Sequence, residues 1–503
     1  MADNNVTPRP AVVSKGRAVA VLALVILLSE AATFEVTMVY PAMPDMAREF
    51  RTLNIAWAAS IVTLAGATVM PLIGKAADKW GKKRVIVLLG LIFLAGSVIC
   101  ALASSFAMLL VGRAVQGCIV GIVSLSYSLV RDIMPRSFVP IALGTVVTGV
   151  GMAALVGPFL AGWLVDAHGP EGVFWFLALY AVVLLPFYAF VIPESPLRVD
   201  RPVDYLGTLL LGPGIGVLLL GITQGNAWGW TAGSTLTFLV LGAAMLIAFA
   251  AWERVCRYPL ISLDVLLGPR FGPTVLAVGC VTYMMNAHAL ISPTMLRTPE
   301  GIPGIGYGAG LSATELAVWT CPLGIAAMFV GPLGGYLTTR IGARNVLLAG
   351  AACYLLVMLL GSQLFTVQWQ VGLMALAGGC ANGFLHSSNA NLLQDSLPAS
   401  QNAVGNSVAG MTTLLASGIA TSLTGVVMSG HVLKVDAATS SVVYADGALT
   451  HAYAYAAVVG AVGVVVALLM KHGRAPARGG LAEPSEGVPP VGEARVPASG
   501  AAG

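Results

Sequence analysis

Charge is what this sequence has least of: Asp, Glu, Lys and Arg make up 10% of its 503 residues, and the mean hydropathy is +0.87. A soluble domain carries roughly 25% charged residues, so most of the chain cannot face water and no large soluble domain fits. Alternating polarity is also missing. A transmembrane β-barrel needs ~10-residue segments of that pattern, whereas Val85 to Ala101 and Tyr453 to Met470 are continuously apolar. The seven cysteines form no CxxC pair and no Cys/His metal spacing. Cys100, Cys118, Cys280, Cys321, Cys353 and Cys380 lie inside apolar segments and read as small packing residues. There is no GxxxxGK[ST] loop and no nucleophile–base set. Neither an ATP-driven machine nor a membrane-embedded enzyme is indicated, and no cofactor, metal or nucleic-acid partner is expected. A cleavable leader is not expected either, because the first apolar run is too long and contains Glu30 and Glu35.

What is present is a series of apolar runs of spanning length, each about 20 residues. The runs fall near 18–41, 54–75, 85–104, 107–130, 138–165 and 172–193, then 206–223 and 232–252. Six more lie near 271–292, 312–337, 346–366, 369–393, 402–429 and 450–470, giving an all-α polytopic membrane protein of about fourteen helices. Five units follow: a cytoplasmic segment 1–17, a six-helix unit 18–193, a connector with two extra spans 194–270, a second six-helix unit 271–470, and a tail 471–503. From Arg474 onward the tail is rich in Ala, Gly, Pro and Glu, and disorder is expected there.

Cytoplasmic loops carry the excess of Lys and Arg, which tests the span count. With the N-terminus inside, the outer side holds Arg48, Arg51, Arg297 and Lys434, Arg113 lies mid-span, and the rest of the 26 basic residues fall on the inner side. One span more or fewer would ruin that asymmetry. Both termini are therefore expected in the cytoplasm.

One inner loop is repeated. Gly74-Lys75-Ala76-Ala77-Asp78-Lys79-Trp80-Gly81-Lys82-Lys83-Arg84 follows the second span, and Gly335-Tyr336-Leu337-Thr338-Thr339-Arg340-Ile341-Gly342-Ala343-Arg344-Asn345 follows the tenth. Both have glycines seven apart and basic residues at the sixth and tenth positions. Glycine permits positive φ in a short turn and close helix approach. Asp78 is expected to cap a neighbouring helix or pair with an arginine. Gly74, Asp78, Gly81, Lys82, Arg84 and Arg340 are assigned to gating.

These residues resemble the major facilitator superfamily, since Gly74 to Arg84 matches its GxxxDxxGxK/RxxR signature. Leu110 to Gly117 resembles the arginine-bearing motif of the fourth helix. Gly149 to Gly162 resembles the fifth-helix antiporter motif, with Ala161 where a second glycine is usual. The inserted pair opened by Val203-Asp204-Tyr205-Leu206-Gly207 is similar to the fourteen-spanner drug:proton antiporters. The resemblance covers about residues 18 to 470 and implies two six-helix bundles plus two inserted helices. The first helix departs from that family's pattern: Glu35 stands where an Asp is usual, about nine residues before a Pro, here Pro44.

A charge at mid-bilayer costs ~2.5–3.5 kcal/mol even on lenient scales, so each is a functional candidate. Glu35 is the expected proton carrier, because burial disfavours the ionised carboxylate and a nearby cation favours it. Glu30, about 140° away around the helix, is either a contact for a cationic cargo or a second proton site. Arg113 must find a carboxylate or carbonyls and is expected to approach the first helix, so that protonating Glu35 changes its partner. Gly149, Gly151 and Gly162 are expected to let the first helix pack against the fifth, and Gly157-Pro158 to bend it. Candidate cavity residues are Gln116, Tyr127, Asn286, His288, Asn382 and His386. Asn389, Asn391, Trp175, Trp319, Tyr283 and Glu315 are weaker candidates.

The expected function is export of small amphiphilic drugs or antibiotics in exchange for protons, by rocking of two bundles in the cytoplasmic membrane of a bacterium. The expected partners are an amphiphilic small molecule, protons and lipid, and the protein is expected to work as a monomer. Proton symport of a nutrient on the same fold is the alternative. The glycine-rich fifth helix and the inserted pair favour export.

Overall fold

The computed structural model describes residues 15–52, 55–135, 138–196, 204–257, 259–260, 266, 268–311, 313–363, 367–396, 402–436 and 441–476. The segment before residue 15, residues 197–203 of the connector and the tail from 477, including its expected disorder, lie outside these residues.

The first half comprises α1 (Lys15–Ser29), α2 (Ala31–Glu49), α3 (Ala56–Trp80), α4 (Lys82–Ala101), α5 (Phe106–Gln116), α6 (Ile119–Ile133), α7 (Val139–His168) and α8 (Glu171–Val191). The inserted pair is α9 (Tyr205–Trp228) and α10 (Gly233–Val255). The second half comprises α11 (Phe271–Arg297), α12 (Ala313–Ile341), α13 (Ala343–Gly361), α14 (Gln368–Ser396), α15 (Asn402–Ser429) and α16 (Asp446–Leu469). Between α15 and α16 a hairpin pairs β1 (Val432–Asp436) with β2 (Ser441–Tyr444). The sequence reading has only a loop there.

Among the described residues, helix stands at each of the fourteen places expected from hydropathy, and thirteen of those stretches are long and apolar enough to cross a membrane. The exception is α14, which carries Asn382, His386, Ser387, Ser388, Asn389 and Asn391. Ser387, Ser388 and Asn391 are buried, and α14 packs against α7, α12 and α13. These polar residues lower the hydropathy of α14, and Ser387, Ser388 and Asn391 place their polar groups inside the protein. Two expected spans carry a local irregularity, though each continues as one spanning helix. The first passes from α1 to α2 at Glu30, and the fourth from α5 to α6 at Gly117. Gly117 packs on α3 backbone: a Cβ there would lie 2.6 Å from Val62 O.

Each half has its own apolar core. The halves meet where α7 crosses α12 through glycines: a Cβ at Gly144 would lie 2.7 Å from Gly335 Cα, and one at Gly151 2.6 Å from Gly324 O. Small residues allow such backbone approach, which apolar solvent alone does not drive. A third apolar cluster joins α3, α9 and α15 and seats the inserted pair.

The repeated loops have matching geometry. Gly81 and Gly342 have φ of 106° and 86°, the left-handed region glycine favours. In each half, the chain beyond the last helix returns to the start of the third span, α4 in the first half and α13 in the second. Glu194 accepts from Lys83 N at 2.9 Å and Arg84 N at 3.3 Å, and Gly473 O accepts from Arg344 N at 3.0 Å. Both satisfy helix N-terminal donors that would otherwise have no partner.

Candidate functional site

Arg113 lies in the last turn of α5, a helix begun by Ser105, whose hydroxyl accepts from Met108 N at 3.3 Å. Its guanidinium forms an ion pair with Glu35 of α2, each side chain only 2% exposed. Nε donates to Ala58 O of α3 at 2.8 Å, and Nη1 donates to Gln116 Oε1 at 2.7 Å. The Phe174 ring of α8 lies 5.9 Å from the guanidinium carbon. Gln116 in turn donates through Nε2 to Ser97 Oγ of α4 at 2.8 Å. Helices from across the first half thus converge on one guanidinium, with a different acceptor on each arm of the fork.

That places Gln116 in the ion-pair network rather than lining a cavity, the role expected of it. Its spacing explains the difference: three residues after Arg113 it shares the same face of α5. Close packing helps to confine it, since a Cβ at Gly96 would lie 2.9 Å from Gln116 N.

Glu30 stands at the junction of α1 and α2; among the described residues its carboxyl oxygens make no well-aligned hydrogen bond, and Thr33 is the one side-chain hydroxyl in reach. It is 1% exposed and rests on Gly149 of α7, so any Cβ there would collide with it. Tyr127 and Tyr180 are within electrostatic reach of Glu30, and Phe34 meets Tyr180 edge-on at 5.5 Å. Gly157 packs against Thr37 of α2, while Pro158 stays within the 30-residue α7. Two glycines depart from expectation. Gly151 packs on Gly324 and Met328 of α12, not on the first helix, and a Cβ at Gly162 would meet nothing within 4 Å. At 3.6 residues per turn, 149 and 157 face α2 while 151 faces α12, and 162 lies beyond both contacts.

At the basic end, Gly74 and Asp78 are buried in α3. Lys82 pairs with Asp132 of α6, to which Ser195 Oγ also donates at 2.5 Å. Arg84 Nε is 4.0 Å from Glu194, mostly exposed. Arg340 bonds only within its own helix among the described contacts, donating from Nε to Tyr336 OH at 3.2 Å. Sequence reasoning missed Asp132, Glu194 and Ser195. The available signal was a carboxylate between Pro193 and Pro196 directly after the sixth span.

In the second half, Asn286 donates to Thr282 O of its own helix at 2.9 Å. His288 Nδ1 is 3.3 Å from Tyr453 OH and lines a small cavity with Ser292 and Thr320. Asn382 and His386 are half-buried on α14, and Tyr127 packs at the edge of the first-half core.

Two bundles meeting through glycines, with ionisable groups buried in the membrane-spanning part, define a membrane carrier. The chain belongs to the Major Facilitator Superfamily, whose match covers residues 25–421. Proteins of that family are transporters and not enzymes, and the chain is a multi-pass protein of the bacterial inner membrane. An uncharacterized MFS-type transporter of Mycobacterium tuberculosis is 32% identical over 340 residues, which is 65% of this chain and 47% of that protein. A multidrug resistance protein B homolog of the same organism is 29% identical over 335 residues, 65% of this chain and 59% of that one. The chain thus spans about half the length of these relatives. The solved proton:xylose symporter XylE superposes with a TM-score of 0.64 at 11% identity, covering 92% of this chain and 98% of that one, which shows the fold alone.

Proposed function

We propose that this protein is a proton-coupled antiporter of the fourteen-spanner drug:proton type, exporting small cationic amphiphiles by alternating access. The observation that carries the reading is the buried Glu35–Arg113 pair together with a second buried carboxylate five residues earlier, Glu30, which faces no cation and has only Thr33 in side-chain hydrogen-bonding reach among the described residues. Ionised Glu35 holds Arg113. When Glu35 takes a proton, Nη2 loses its counter-charge while Nε and Nη1 keep Ala58 O and Gln116. The guanidinium is then held less firmly to α2, and the first helix is freer to move relative to α5. A cation seated at Glu30 favours the ionised carboxylates and so competes with the proton. Exchange follows from that competition. Gly149 keeps α7 against Glu30 and Gly157 keeps it against Thr37 of α2, and the name of one relative, a multidrug resistance protein, points the same way. Amphiphile, proton and lipid are the partners in this reading. The protein works as a monomer with both termini in the cytoplasm.

The test is an everted-vesicle assay with a preset, acid-inside pH gradient. Adding a cationic drug panel should dissipate the gradient in vesicles holding the wild-type protein and fail to do so with Glu35→Gln. Cargo that instead moves with protons in the same direction establishes symport and rejects export.

A further inference from the structure

The two lateral seams between the halves differ. Along α7 and α12 the helices touch at Gly144–Gly335 and Gly151–Gly324, then separate towards the end that the charge pattern assigns to the outside. Pro158 of α7 and Pro322 of α12 lie in the separated stretch. A cavity of about 160 Å³ opens there between Ala154, Leu155, Pro158 and Phe159 of α7 and residues of α12 that include Ala317 and Cys321. Successive helix positions rotate by about 100°. That places 154 and 158 on the interior arc of α7, between its α2-facing and α12-facing sides, whereas Phe159 is 45% exposed. The cavity therefore runs from the protein interior to the lipid-facing surface. Its inner wall, Thr320 and Leu323, also bounds the small cavity that holds His288.

The matching seam, between α3 and α15, is covered. Gly212 and Gly216 of α9 lie against Thr68 of α3, and Leu219 against Gly418 of α15. Ser422 Oγ of α15 donates to Ile222 O of α9 at 2.7 Å.

We infer that the outer half of the α7–α12 seam takes the hydrocarbon tail of a single-chain cationic amphiphile passing between the interior and the lipid, and that α9 keeps the opposite seam shut. The inference rests on the export reading and adds to it the shape of the cargo and a one-sided route. The lining is mostly apolar, and the volume is close to the ~150 Å³ apolar cavity that stays dry and admits benzene. A head group at Glu30 would sit beside Gly149. The seam begins five residues further along α7, about 7.5 Å away along the axis, well within the length of a dodecyl chain.

The experiment compares proton-coupled export of dodecyltrimethylammonium with that of tetraphenylphosphonium, a compact cation without a tail. Ala154→Phe fills the groove. Excluding two or three methylenes should lower dodecyltrimethylammonium export about 15- to 60-fold and leave tetraphenylphosphonium export within about twofold. A second variant, Ala154→Cys, is stapled to the native Cys321 with a bifunctional thiol reagent and released with reductant. The staple should selectively and reversibly stop the tailed cation. Equal loss of both cations assigns the seam to bundle rocking alone and overturns the inference, as does no loss of either. A lipid-soluble maleimide should label Cys321 but not Thr68→Cys, beneath α9; equal labelling removes the role of α9. Failure of the wild-type protein to export either cation sinks the export reading itself, a result distinct from the others.

Discussion

Replacing Glu35 by Gln keeps the size of the side chain and removes the charge opposite Arg113 Nη2. Breaking a buried ion pair from one side costs ~3–5 kcal/mol, because the other charge is left uncompensated. The glutamine oxygen still accepts a hydrogen bond, and Nε and Nη1 retain Ala58 O and Gln116. Glu35→Gln therefore falls at or just below the low end, about 2–3 kcal/mol. Arg113→Ala strands the Glu35 carboxylate, empties a site 2% exposed and leaves Gln116 Oε1 without its main donor, so about 4–5 kcal/mol is expected. In the double variant no carboxylate is stranded, and the two losses should fall short of their sum by about 2 kcal/mol. Reversible unfolding of the four proteins in detergent micelles by added SDS measures that coupling, and export rates from the same preparations give its functional counterpart. Losses that add to within about 0.5 kcal/mol, with independent effects on export, would refute the argument.

Other expectations concern packing, capping and charge. Gly144→Ala drives a methyl into Gly331 and Gly335 backbone and should cost about 1–3 kcal/mol. Gly162→Ala meets open space and should be neutral or stabilise by up to about 1 kcal/mol in the same unfolding assay. Lys82→Met strands buried Asp132 and should lower stability by about 3 kcal/mol, whereas Lys82→Met with Asp132→Leu should recover most of that loss. Glu194→Ala removes the acceptor for two α4 donors and should cost about 1 kcal/mol, read as faster amide exchange at Lys83 and Arg84. Partial burial first, and the neighbouring Glu171 second, hold the Glu49 carboxyl above its usual 4.5. A raised carboxyl favours the folded state at low pH, and that contribution is lost as pH rises through the raised value. Glu49→Gln should therefore raise thermal stability at neutral pH and change nothing at pH below the usual carboxylate range.

Much of the fold is legible in the residues because a membrane protein writes its architecture in hydropathy, and the mid-span ionisable groups stand out against it. Glu35, Glu30 and Arg113 are conspicuous for that reason. What the sequence conceals is direction. Gly149, Gly151 and Gly162 look alike in the string, yet they face α2, α12 and open space respectively. Gln116 reads as a cavity residue until the side chain is seen spent between Arg113 and Ser97. Glu194 and Asp132 act across more than a hundred and about fifty residues, and no local pattern pairs them with Lys83 and Lys82. The inserted helices read as two additional spans. Only their packing shows α9 lying over the α3–α15 seam and leaving the α7–α12 side uncovered.

Proton release on cargo binding tests the role of Glu35 most directly. Purified protein in weakly buffered detergent is titrated with tetraphenylphosphonium while a pH-indicator dye reports free protons. Exchange through Glu35 requires that the wild-type protein release protons on binding and that Glu35→Gln bind without releasing them. Equal release from both proteins would contradict it.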